Sequence, residues 1–278
     1  MHILKGYTKQ EISWMMYDWA NSAHSVIIVT LLPIFFDTVA GYTADSVSSM
    51  STWGYATSIA MLIVALAAPF LGVFGDIRGM RKKLFSFFML LGVAACAGMA
   101  FTPGMDFTSG PVAAGKVASL ILVLYIVSVI GFDASAIYYD AFLTDVTTED
   151  RMDKVSTMGY GLGYIGGSTI PLLIFLIMNL VGVPMLTCLA FVFGLTAVWW
   201  LAFSLPLLKN CEQTSGKPYE KGDVARSIKG VGTTIKEIIA NKPMLIYILS
   251  YFFYIDGVHT VISMATTYGT NLGLDSTG

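Results

Sequence analysis

Residues 14–36, WMMYDWANSAHSVIIVTLLPIFF, put a carboxylate, an imidazole and three small polar groups inside an apolar run long enough to cross a bilayer. Asp18, Asn21, Ser22, His24 and Ser25 all fall in its first half, and Val26–Phe36 is almost wholly apolar. A carboxylate held at membrane depth costs about 2.5–3.5 kcal/mol on insertion scales, so its presence implies use. At helical spacing Asp18, Ser22 and Ser25 form one stripe and Tyr17, Asn21 and His24 the adjoining one. Together they make one side of the helix polar. That side must face protein or water rather than lipid, and the chemistry it offers is solute binding or proton exchange.

Further along, Asp133 and Asp140 lie seven residues apart and share a helix face, with Tyr138 and Tyr139 beside the second. Asp133 falls near the middle of its apolar run and Asp140 near the end. A third group, Tyr254-Ile255-Asp256-Gly257-Val258-His259-Thr260-Val261-Ile262, repeats the first: His24-Ser25-Val26-Ile27 aligns with His259-Thr260-Val261-Ile262, and Asn21 with Asp256. Asp18, Asn21, His24, Asp133, Asp140, Asp256 and His259 are therefore the candidate substrate and proton residues. Carboxylates hold an ammonium or carry a proton, and His titrates near neutral pH.

The elements that position them follow from composition. The chain is 55% hydrophobic and only 12% charged, with mean hydropathy +0.71, whereas a soluble domain is about 25% charged. The sequence predicts an all-α membrane protein with seven spans, at about 13–36, 52–75, 84–104, 117–141, 155–178, 184–206 and 243–268. All but Lys116 of the 16 Lys and Arg then lie on one side, in the amino terminus, the 2–3 and 4–5 loops and the 6–7 connection. By the positive-inside rule that side is cytoplasmic, amino terminus included. Spans 1–6 (residues 1–206) form one bundle. Residues 207–242 are a cytoplasmic connection in which Val224, Ile228, Val231, Ile235 and Ile238 recur at helical spacing, as in a basic amphipathic helix on the inner membrane surface. Residues 243–278 begin a second bundle.

Three local patterns stand out. Thr8-Lys9-Gln10-Glu11 fits a capping box that would start span 1. Gly159, Gly163 and Gly167 repeat every fourth residue in span 5, a bare stripe for close helix packing, with Pro171 interrupting the ladder above it. Trp199 and Trp200 close span 6 as interface or packing aromatics. The cysteines are too few and too dispersed for a disulfide framework or a metal site. No P-loop, HExxH or GxSxG occurs. The reading is of no enzyme, no cofactor and no nucleic-acid partner. A scaffold or receptor would not require polar residues at similar depth on three spans.

GVFGDIRGMRKK between spans 2 and 3 resembles the loop signature of the major facilitator superfamily, through Gly72, Asp76, Gly79, Arg81 and Lys82; Ile77 and Met80 depart from it. Here the glycines permit a tight turn and close helix approach. Asp76 accepts hydrogen bonds at a helix terminus or pairs with an Arg, forming a conformational latch. YDWANSA, GYGLGYIGG, WWLAFSLP and YIDGVHT together resemble the branch related to the yeast vacuolar amino-acid effluxer. That resemblance implies a twelve-span fold, alternating-access transport of small polar solutes in a cell membrane, and amino acids as first candidates. A chain ending at Gly278 carries one six-helix half and the first helix of the other, and is expected not to transport alone.

Overall fold

The structure, a computed structural model, describes residues 4–43, 46–216, 218 and 223–272. Among these it is all helical: α1 (Lys9–Ala40), α2 (Ser46–Gly75), α3 (Arg81–Met99), α4 (Pro111–Val146), α5 (Met152–Leu162), α6 (Thr169–Leu180), α7 (Met185–Asn210), α8 (Asp223–Ala240) and α9 (Lys242–Asn271). A π-helical turn, Gly163–Ser168, joins α5 to α6 and makes them one span. The described residues include seven helical stretches long and apolar enough to cross a membrane. The spans match the expected ones but run longer. α4 starts six residues before the expected boundary and continues five beyond it, so its 36 residues reach about 54 Å, well past a hydrocarbon core of about 30 Å.

α1 is the centre of the assembly. It touches α2, α4, α5, the π turn, α6, α7 and α9. Its start is fixed locally: the Glu11 amide donates to Thr8 Oγ1 at 3.1 Å and the Thr8 amide donates to Glu11 Oε2 at 2.7 Å, the reciprocal capping box anticipated from the sequence. The most extensive contact is α3 with α4, followed by α1 with α7. α3 and α4 cross backbone to backbone: a Cβ on Gly131 would stand 2.5 Å from the amide nitrogen of Gly92, and one on Gly92 would stand 2.4 Å from the ring of Trp200. Trp200 is accordingly fully buried, a packing residue rather than an interfacial one. α9 is largely exposed along its length.

Pro171 acts as expected, with a refinement. A proline removes its own N–H and crowds the carbonyl four residues back. The chain absorbs this with the π-helical turn immediately upstream, a wider coil that also brings Gly163, Gly166 and Gly167 onto α1. α8 is helical over residues 223–240. Val231 and Ile238 are its partly covered apolar positions and Ile235 is exposed, while the side chains of Val224 and Ile228 lie outside the described residues.

Candidate functional site

The polar side of α1 divides between two partners. Tyr17, Asn21 and His24 are buried, and Tyr17 and His24 pack against α4 and α7. Tyr17 shares a hydrogen bond with Ser135 Oγ at 2.8 Å, and Trp200 Nε1 donates to Tyr17 Oη at 3.4 Å. His24 Nε2 lies 3.3 Å from Ser128 Oγ, with its ring stacked on Phe132 at 4.7 Å between centroids. His24 Nδ1 has no hydrogen-bond partner among the described residues. In this conformation, then, this stripe belongs to the core of the bundle.

The other stripe meets the glycines. A Cβ on Gly159 would lie 2.5 Å from Asp18 Oδ2, one on Gly163 2.6 Å from Ser22 Oγ, and one on Gly167 2.4 Å from the Trp19 carbonyl. The Gly159–Gly163–Gly167 face is therefore the surface on which Asp18 and Ser22 rest, and only hydrogen at these positions leaves room for a carboxylate between the helices. Asp18 is half-buried and accepts a 2.8 Å hydrogen bond from Tyr139 Oη. Tyr139 is itself fixed by Trp14, which stacks on it at 4.3 Å and donates from Nε1 to its carbonyl at 2.9 Å. Asp140 lies within electrostatic reach of both Asp18 and Tyr139. It is exposed, one and a half turns before the end of α4, because the helix outlasts the expected span. Asp133, one and a half to two turns earlier on the same face, is half-buried and has no hydrogen-bond partner among the described residues.

Asp256 stands apart. It is exposed in a groove of about 750 Å³ between α2 and α9, alongside Ser58, Tyr55, Phe252 and Thr260. No hydrogen bond or ion pair joins it to Asp18, Asp133 or Asp140 among the described residues. The side chain of His259 lies outside the described residues. Described residues hold no group of three or more His, Cys, Asp or Glu side chains with metal-site geometry.

The loop between α2 and α3 departs in part from expectation. Gly79 is a turn glycine with φ +81°, as required. Gly72 is a correction: no atom lies within 4 Å of its Cβ position, so it makes no close helix approach here. Asp76 is 3.7 Å from Arg81 Nη2 and its side chain is 82% exposed, too open to be the main anchor. Arg81 is that anchor. Nearly buried, it pairs with Asp145 at the end of α4, donates to the Ala141 carbonyl at 2.9 Å and lies over the Phe142 ring. Lys82 is half-buried beside it.

Two polar networks are not visible in the sequence. One is Arg81–Asp145, extended by Gln213, Thr214 and Ser215 from the segment after α7. The other joins Glu11 to Arg151, which donates from Nε and Nη2 at 2.8 and 2.9 Å, while Thr147 Oγ1 donates at 2.6 Å. For the second network the sequence offers only a Glu already assigned to the α1 cap and an Arg in the 4–5 loop. Nothing along the chain links residues 140 apart.

A bundle of apolar helices around polar contacts of α1 and α4, with the glycine-turn loop joining α2 to α3, defines an all-α, multi-pass membrane protein of the major facilitator kind. Residues 40–151 and 144–276 match the family described as "Vacuole effluxer Atg22 like", and the chain belongs to that family. It is 40% identical over 282 residues to the "Uncharacterized MFS-type transporter YxiO" of Bacillus subtilis, a match covering 99% of this chain and 63% of that protein. It is 26% identical over 131 residues to "Autophagy-related protein 22-1" of Sclerotinia sclerotiorum, covering 41% of this chain and 22% of that protein. A similar 26% match, over 125 residues, is found with "Autophagy-related protein 22-1" of Penicillium rubens. The chain thus spans under two thirds of the length of the relatives it matches. No solved structure matches it significantly.

Proposed function

We propose that this chain forms the first six-helix half, and the first helix of the second half, of a secondary transporter that moves small polar solutes by alternating access, with amino acids as the first class to test. The observation that carries this is Asp18: a carboxylate in the central helix, half-buried, held by one tyrosine hydroxyl and by no cation among the described residues. Such a group is costly at membrane depth unless a solute or proton engages it. Asp133 and Asp140 continue the same acidic surface along α4, and Asp256 faces the groove from α9. Solute binds among Asp18, Asn21, His24, Asp133, Asp256 and His259, with conformational change bringing the last two toward the first. A proton gradient supplies the driving force through Asp18, Asp133 and Asp256. The α2–α3 loop, with Asp76, Gly79, Arg81 and Lys82, acts as the latch on the cytoplasmic rim. The amino terminus is cytoplasmic in a bacterial cell membrane, with α8 on its inner surface. The names of the relatives, an MFS-type transporter and a vacuole effluxer family, support this reading.

The test is flux in the whole natural polypeptide, reconstituted in liposomes with labelled amino acids and an imposed pH gradient. Asp18→Asn removes charge at nearly constant shape. Lost flux with retained fold supports the reading, and undiminished flux overturns it. Flux that ignores the pH gradient refutes proton coupling alone. A thermal-stability screen against the amino acids identifies the solute, since a ligand that binds the folded state raises its apparent stability by mass action.

A further inference from the structure

After α7 the chain does not simply leave the bundle. Asn210 Nδ2 donates to Ser13 Oγ on α1 at 2.9 Å, and the Cys211 side chain is fully buried with its Sγ 3.6 Å from the Gln10 carbonyl. Residues 212–216 then run across the rim, where Glu212, Thr214, Ser215 and Gly216 are exposed and only Gln213 is half-covered. What holds them is hydrogen bonding to three different elements. Gln213 Nε2 donates to the Gly75 carbonyl at the end of α2 at 3.0 Å. Gln213 Oε1 accepts from the amides of Gly79 at 2.8 Å and Arg81 at 3.2 Å, at the start of α3. Helix α3 has no side-chain cap of its own, since Met80 occupies that position. Gln213 therefore does from a distant segment what a Ser or Asp would do locally. Asp145 Oδ1 on α4 accepts from the Thr214 and Ser215 amides at 3.1 and 2.9 Å and from Thr214 Oγ1 at 2.9 Å, while Arg81 Nη1 donates to Ser215 Oγ at 3.2 Å. Gly216, at φ +110°, closes the run where a Cβ would come within 2.8 Å of the Asp76 carbonyl.

We infer that residues 211–216 are a strap that holds the α2–α3 loop closed and lets go when that loop moves, with Gln213 as its positioning residue. This rests on the latch reading above. A glutamine whose two amide ends bridge the end of one helix and the start of the next keeps all three bonds in only one relative placement of those helices. The same holds for Asp145, which is shared between Arg81 on α3 and the strap. The strap buries no large apolar side chain, so little but this polar geometry secures it. Displacement of the loop therefore releases the strap, and release uncovers Cys211. Burial pushes the Cys211 thiol up to about 12, so in the closed state it is both covered and protonated. Once freed it returns toward an ordinary thiol value of about 8.5 and becomes reactive.

The experiment measures alkylation of Cys211 by N-ethylmaleimide at pH 8 in the whole natural polypeptide in liposomes. Peptide mass spectrometry separates it from Cys96 and Cys188, both buried within the bundle. Gln213→Ala, which cuts the bridge, and Gly79→Ala, which strains the loop's turn at φ +81° without touching Cys211, are each expected to speed Cys211 labelling at least tenfold and leave Cys96 and Cys188 unchanged. Gln213→Glu, which keeps the acceptor and loses the donor, falls between Gln213→Ala and wild type. The inference is overturned if either Gln213→Ala or Gly79→Ala leaves Cys211 protected, or if all three cysteines accelerate together, which is general loosening. Solute flux measured on the same vesicles tests the latch separately. Faster Cys211 labelling with unchanged flux sustains the strap and removes the latch role of the loop.

Discussion

The rim where α1 begins and α4 ends and the interior of the bundle treat carboxylates in opposite ways. At the rim, Glu11 accepts from Arg151, Thr147 and Thr8, and Asp145 accepts from Arg81, Thr214 and Ser215; both carboxylates are saturated and each has a guanidinium. In the interior, Asp18 has one tyrosine hydroxyl, Asp133 has no partner, and no Lys or Arg pairs with either among the described residues. Charge-assisted networks lock geometry, and an unpaired carboxylate at membrane depth strains it. The difference teaches where each carboxylate spends its interactions: at the rim on holding helices together, in the interior on a single tyrosine hydroxyl or on no described partner.

If that division holds, substitutions on the two sides must separate cleanly in stability. The largest loss is expected for Arg81→Ala, which leaves Asp145 buried beside an emptied site. Breaking a buried pair by removing one partner costs about 3–5 kcal/mol. Thermal unfolding of the purified protein should show a fall of several degrees, and an unchanged midpoint would mean the rim pairs are ornamental. Next comes Gly131→Ala, because the added methyl meets backbone of Gly92 rather than a side chain that can swing away. Overpacking of this kind costs about 1–3 kcal/mol, and the same unfolding assay reads it. It also serves as a control, since it loosens α3 against α4 without altering any charge. Thr8→Ala removes the cap of α1 while leaving the Glu11–Arg151 pair, and about 1 kcal/mol is expected. A loss as large as that of Arg81→Ala would show that the cap, rather than the ion pair, anchors the rim.

How far these features could be read from the chain depends on their range. The spans, the Thr8–Glu11 cap and the glycine face of span 5 are legible because each is written within one helix, in hydropathy, in a four-residue pattern or in a stripe. What each pattern meets is not. Nothing near Gly159 announces that its missing side chain makes room for Asp18, and Gly92 and Gly131 are lone glycines whose crossing exists only in three dimensions. The loop signature contains Arg81 and Gly79, but Arg81 takes its main partner from α4, and Gln213 supplies the cap that α3 lacks. Gly72 has the right type and an empty surround. The polar face of α1 reads as a single surface in sequence, yet packing splits it. Tyr17 and His24 turn into the core, where α4 offers Ser135 and Ser128, while Asp18 is set against glycine.

The sharpest test of the comparison is also the smallest expected effect on stability. Asp133→Asn takes away a charge that no described residue hydrogen-bonds and substitutes a group of the same shape. A carboxylate that contributes structure would be missed, as Asp145 would be. Asp133 has no bonds to lose, and its desolvation burden falls when the charge is removed, so the midpoint should stay within about 0.5 kcal/mol of wild type or rise. Flux should fall nonetheless, because an unpaired carboxylate on the face shared with Asp140 offers a solute ammonium or a proton what an amide cannot. A variant that unfolds earlier would place Asp133 with the rim carboxylates and erase the distinction between the two regions. A variant as stable and as active as wild type would leave Asp18 and Asp140 as the only carboxylates of the α1–α4 surface available for transport.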